Sequence, residues 1–76
     1  MRYDEQSRTL MRIKLNGEPH DLPAPISVAA LLARLGIDSR RVAVEHNLVV
    51  LKRAAFDQVI VNEGDEVEIV NFVGGG

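Results

Sequence analysis

The 76-residue chain contains no cysteine, which excludes a disulfide staple, a thiolate nucleophile and a sulfur-ligated metal. Tryptophan is absent too, and with Tyr3, Phe56 and Phe72 as the whole aromatic complement there is no stacking platform for bases. A basic footprint for phosphates is also missing: nine Lys and Arg stand against eleven Asp and Glu, a formal charge of -2. Nucleic acid is therefore not an expected partner. Histidine is confined to His20 and His46, so a structural zinc site would need carboxylates to complete it, and the spacing offers no such cluster. No metal and no permanently bound cofactor is expected. No run of eighteen apolar residues occurs, and Met1 to Leu10 lacks the apolar core of a secretory signal, so the expectation is a cytoplasmic protein with no membrane association.

Hydrophobic residues make up 46% of the chain and charged residues 26%, which places it among ordinary folded proteins rather than disordered ones. A chain this short buries only about 60% of its unfolded surface and has room for one core. Without staples, its stability must come from dense packing of regular elements rather than from walls around a large cleft.

The segment MRYDEQSRTL is polar and aperiodic, so residues 1–10 are expected to form a disordered, mobile extension ahead of a domain at 11–73. Met11 opens a cleaner beginning, and could be the ancestral start. In MRIKLNGE, Ile13 and Leu15 alternate with Arg12 and Lys14 as in a half-buried strand. Asn16-Gly17 is a strong hairpin signal, because both residues tolerate the positive φ of a type I′ turn. A return strand from Glu18 to Leu22 follows. Pro19 places it at an edge, where His20 would be solvated, and Pro23 and Pro25 end it. Ser27 suits an N-cap, Val28, Leu31, Leu32 and Leu35 form one helical stripe, and Gly36 stops the helix.

Beyond the helix, Val42 and Val44 alternate with polar neighbours, and Leu48 to Leu51 is an apolar run, giving two more strands expected to pair. His46 continues the Val42 and Val44 parity and reads as a satisfied structural histidine at the core rim rather than a ligand. Residues 54–61 leave their secondary structure undecided, with Phe56 as an anchor beneath the crossover. The turn Asn62-Glu63-Gly64-Asp65 then launches a last strand from Glu66 to Phe72. One helix between early and late strands, with right-handed connections, puts a later strand parallel to the first in a mixed α+β sheet.

No internal constellation suggests an enzyme. Ser7, Ser27 and Ser39 have no glycine-rich elbow and no base placed nearby in sequence. The acidic cluster Glu63, Asp65, Glu66 and Glu68 fits no EF-hand spacing and reads as a solvated strand face, with a charge-complementary docking patch as the alternative.

The unusual feature is the end, Gly74-Gly75-Gly76, directly after an apolar strand. Four residues from Val73 onward can reach roughly 13 to 14 Å when extended. Without a Cβ such a tail can thread a narrow pocket, and the Gly76 α-carboxylate, with a reference pKa of about 3.3 to 3.7, is ionised at neutral pH. A glycine end can also be a flexible scrap. The last strand adds a second signal: Val67 and Ile69 take one parity, Val70 and Phe72 the other, while Leu48 and Val50 oppose Val49 and Leu51. A single helix covers one side of a sheet, so part of this surplus should stay exposed near the tail as a protein-binding surface. For Phe72 a bulge that turns the ring inward stays open beside the exposed placement.

MRIKLNGE at 11 to 18, VAVEHN at 42 to 47, Arg53 with Phe56, and above all EGDEVEIVNFVGGG at 63 to 76 resemble the ThiS family, the sulfur carriers of thiamine thiazole biosynthesis. The likeness covers nearly everything from Met11 onward. It departs at Asn47-Leu48, where the family often has Asn-Gly, and at Lys52-Arg53, where it has Pro-Arg.

The resemblance implies a β-grasp, ubiquitin-like fold. It further implies that an E1-like, ThiF-like adenylyltransferase uses ATP and magnesium to adenylate the Gly76 carboxylate, and that a persulfide donor then supplies sulfur to give a thiocarboxylate. The thiocarboxylate would pass to a ThiG-like thiazole synthase. On this reading the chain is not itself an enzyme. Gly76 carries the sulfur, Gly74 and Gly75 thread partner active sites, and Leu48, Val50, Val70, Phe72 and Val73 are candidate partner contacts. Other carriers with the same diglycine end, such as the small subunit of molybdopterin synthase, and ubiquitin-like modifiers are the competing readings.

Overall fold

The computed structural model describes residues 10–72. Of the expected extension only Leu10 falls in this range, and Val73 with Gly74, Gly75 and Gly76 lies outside it. Strand β1 (Met11–Leu15) and strand β2 (Glu18–Leu22) form the first hairpin. A two-residue strand β3 (Ile26–Ser27) leads into helix α1 (Val28–Arg34), and a 3-10 turn at Ser39–Arg41 precedes β4 (Val42–His46). After β5 (Val49–Val50) come a second 3-10 turn at Arg53–Ala55, then β6 (Ile60–Val61) and β7 (Glu66–Asn71). The main sheet has the order β2-β1-β7-β4-β5, with β1 and β7 parallel and the other pairs antiparallel; β3 and β6 form a separate antiparallel ladder.

The first hairpin follows its alternation: Met11 and Ile13 are buried while Arg12 and Lys14 are exposed. Asn16 and Gly17 take φ of 51° and 82°, as a type I′ turn needs. Pro19 sits on the outermost strand, where a missing donor breaks no ladder on its open side. His20 differs from expectation. It lies across from Ile13, on the core-facing parity of β2, and is half-buried rather than solvated.

The Ser27 hydroxyl accepts a hydrogen bond from the Ala30 N–H at 3.0 Å and caps α1. Val28, Leu31 and Leu32 are buried against the inner sheet face, and Leu35 is the C-cap. Gly36 follows with a φ of 73°, its N–H bonded to the Ala33 carbonyl while the Ile37 N–H reaches the Leu32 carbonyl, a Schellman ending. Full burial of Leu31 and Leu32 contributes about 1.5–3 kcal/mol each.

The undecided stretch 54–61 becomes a clasp for the start of the helix. Helical N-termini leave N–H groups unpaired. Here the Val28 N–H donates to the Val59 carbonyl at 2.9 Å and the Ala29 N–H to the Phe56 carbonyl at 2.7 Å. Phe56 is buried in the core, as an anchor should be, and β6 pairs with the unexpected β3. The expected strand at Leu48 to Leu51 contracts to Val49–Val50, because Leu48 belongs to the turn.

Candidate functional site

The strand that leads to the glycine tail lies in the middle of the sheet. On one side β7 pairs with β4 from Val67 opposite His46 to Asn71 opposite Val42, and the Phe72 N–H extends the pairing by donating to the Arg41 carbonyl at 2.8 Å. On the other side the β1 ladder is short, pairing Lys14 with Glu66 and Leu15 with Val67. Asn16 prolongs it. Its N–H donates to the Val67 carbonyl, its side-chain oxygen accepts from the Ile69 N–H at 2.7 Å, and its Nδ2 donates to the Ile69 carbonyl at 3.3 Å. A turn side chain thereby does the work of one more strand residue, and the last firm support on this side reaches to three residues before Phe72.

The start of β7 is fixed by Asp65. Its carboxylate accepts from the Asn62 N–H at 2.8 Å, lies 2.7 Å from His46 Nε2, and accepts from Asn47 Nδ2 at 3.3 Å. Asn47 Oδ1 in turn accepts from the Glu66 N–H. Burial alone would push the Asp65 carboxyl up; the Asn62 N–H, His46 and Asn47 outweigh it and hold the group below the usual carboxylate range. Asp65 therefore does not belong to the solvated acidic face expected for the cluster. Glu63, Glu66 and Glu68 do. His46 is the satisfied rim histidine anticipated from its parity.

Val67 is buried and Ile69 half-buried, while Glu66, Glu68, Val70 and Phe72 occupy the exposed face of β7. Phe72 is 59% exposed, so its ring is not turned inward. Val70 at 59%, Val50 at 67%, Val49 at 59% and Leu48 at 80% are exposed as well. These residues do not form one patch beside the tail. Val70 lies across from Ala43, and Phe72 beside Arg41, at the end where the tail leaves. Val50, on the edge strand β5, is opposite Glu45. Leu48 is at the far end, since the neighbouring Asn47 N–H bonds to the Glu66 carbonyl at the first residue of β7. Six residues at about 3.3 Å each put it roughly 20 Å from Phe72. The surplus expected near the tail is thus split between two ends because β4 and β7 run antiparallel.

Leu48 also carries strain. Asn47 and Leu48 have φ of 51° and 73°, so the hairpin keeps a two-residue turn with both central residues left-handed although leucine replaces the customary glycine. For a residue with a Cβ this costs roughly 1–2 kcal/mol.

An open depression of about 390 Å³ on the first hairpin, lined by Arg12, Ile13, Lys14, Gly17, Pro19 and Gly64, brings no nucleophile beside a base. Among the described residues no group of three or more His, Asp and Glu could hold a metal ion, and no helix is long and apolar enough to cross a membrane. The roles of Asn16 and Asp65 went unseen in the sequence, where both read as turn residues, and the exposed Val49 was not among the candidate partner contacts.

A mixed sheet with parallel β1 and β7 at its heart and one helix across a face defines a β-grasp-like α+β protein. The chain belongs to the ThiS family, whose sequence model matches residues 13–76. It is similar, at 39% identity and a TM-score of 0.77 over 87% of this chain and 100% of the other, to the crystal structure of the thiamine biosynthesis protein ThiS from Geobacter metallireducens. Over 66 residues it is 50% identical to a thiazole synthase of Paramagnetospirillum magneticum and 44% identical to a thiazole synthase of Magnetococcus marinus. Each alignment covers 87% of this chain, which spans 20% of the length of those two relatives.

Proposed function

We propose that the protein is a sulfur carrier for thiazole formation in thiamine biosynthesis, with Gly76 as the atom-bearing end. The observation that carries this reading is the family match, which runs through the terminal glycines after a strand held at the centre of the sheet. The Gly76 carboxylate attacks the α-phosphorus of ATP bound with magnesium on a ThiF-like adenylyltransferase, and pyrophosphate leaves. The acyl carbon then has AMP in place of a poor oxide leaving group, so the terminal sulfur of a persulfide donor can displace AMP. A thiol cleaves the resulting S–S bond, forming a disulfide with the donor and leaving the thiocarboxylate on Gly76. Every catalytic side chain belongs to a partner. Thiazole synthase is the acceptor, a choice supported by relatives of that name containing a ThiS-like stretch.

Gly74 and Gly75 thread the partner channels, and Val70, Phe72 and Val73 seat the base of the tail. The test is the intact mass of protein purified from its native host. One oxygen replaced by sulfur, mapped to the C-terminal peptide, is the expected result. Unmodified carboxylate in cells actively making thiazole, or an isopeptide from Gly76 to a lysine, would refute the carrier reading.

A further inference from the structure

We propose that the tip of the β4–β5 hairpin is a docking knob, in which Leu48 seats in an apolar socket rimmed by lysine or arginine on a protein partner, apart from the patch beside the tail. Two local costs coincide at this residue. Leucine holds a left-handed backbone that glycine would adopt without strain, and its side chain, 80% exposed, recovers nothing from the core. Val50 continues the exposed apolar surface along the edge strand, on the sheet face it shares with Glu45 and Glu68, whereas Val49, opposite His46, takes the other face.

The surroundings state the chemistry of the occupant. Glu45 is opposite Val50 on one side and Glu68 on the other, and like charges directly opposed across a ladder are unfavourable. Glu66 begins β7 next to the turn and has Lys14 at 3.8 Å, while Glu45 and Glu68 have no ion pair among the described residues. A cationic rim around an apolar socket would relieve both features at once. A second copy of this chain would bring the same acidic rim against itself, and an anionic lipid surface would be repelled in the same way. With the tip roughly 20 Å from Phe72 along β7, a partner can hold this end while the tail remains free to enter or leave a reaction chamber.

The choice of proteins for the test rests on the carrier reading above. Affinity of the full-length chain is measured for the ThiF-like adenylyltransferase and the thiazole synthase of its own source, at low and high salt. Leu48→Gly restores an Asn-Gly turn, so it should melt higher than the wild type while its affinity for at least one of the two falls about tenfold or more, the scale of a lost buried leucine. Leu48→Asn, which also tolerates the left-handed backbone, should show the same weakening. Glu45→Gln with Glu68→Gln should weaken the same complex and flatten its salt dependence. Wild-type affinity for both proteins in Leu48→Gly overturns the knob and leaves the carrier reading intact. Wild-type chain that binds neither protein overturns both.

Discussion

Replacing Asn16 by glycine isolates the clamp that this side chain places on β7. Glycine keeps the left-handed backbone at φ 51°, so the turn gains no strain, but the bonds to the Ile69 N–H at 2.7 Å and the Ile69 carbonyl at 3.3 Å are lost. The first is a short, well-formed bond and the second a long one, and Ile69 is half-buried, so water replaces them incompletely. The expected loss is about 1–2 kcal/mol. In a domain of this size each kcal/mol moves the melting temperature by roughly 4–8 °C, so a thermal scan by circular dichroism resolves the effect. Glycine also loosens the unfolded chain, which adds to the shift without involving the clamp. Amide exchange separates the two contributions. Asn16→Gly should release the Ile69 N–H to fast exchange. Asn16→Asp, which keeps an acceptor oxygen and a tolerance for positive φ, should leave that amide protected. An Ile69 amide as slow in Asn16→Gly as in the wild type would refute the idea that Asn16 completes the short β1 ladder.

Two further outcomes follow from the core and from Asp65. Asp65→Asn removes the charge that organises Asn62, His46 and Asn47 and should cost about 2 kcal/mol at neutral pH, measured by urea unfolding. Because the Asp65 carboxyl is held below its ordinary value, its contribution is fully present above the unfolded pKa of about 3.9 and fades as pH falls through the lower folded value. The gap between wild type and Asp65→Asn should therefore narrow on acidification below about pH 4. Leu31→Ala, which empties a fully buried helix position facing the sheet, should cost about 2–5 kcal/mol in the same assay.

The elements that could be read from the chain were those with a period or a turn signature of their own. Met11 and Ile13 against Arg12 and Lys14, Asn16-Gly17, and the Ser27-to-Gly36 helix with its stripe each declare themselves locally. The β3–β6 ladder could not declare itself, because two residues show no period and its only evidence is the pairing of Ile26 with Val61 across 35 positions. Asn16 and Asp65 were hidden for a related reason: a residue typical of turns looks the same whether its side chain meets water or fastens another strand, 53 positions away for Asn16 and 18 to 19 for Asp65. The exposed apolar surplus was legible from parity, since Val70 and Phe72 oppose Val67 and Ile69. Its division between the two ends of the sheet depended on strand order and direction, which no local pattern encodes. At Asn47-Leu48 the missing glycine weakens the turn signal in the sequence, and the two-residue turn with its left-handed leucine emerged only with the backbone angles.

Because β1 and β7 point the same way side by side, a handle joined ahead of Leu10 would sit at the pole opposite Phe72. A pull between that handle and the end beyond Phe72 would load the bonds linking these strands in shear, so that they share the force and yield together instead of peeling open one by one. A molecule tugged by its last residues is thus gripped along the grain of its own sheet, and its body can resist traction that would unzip a hairpin.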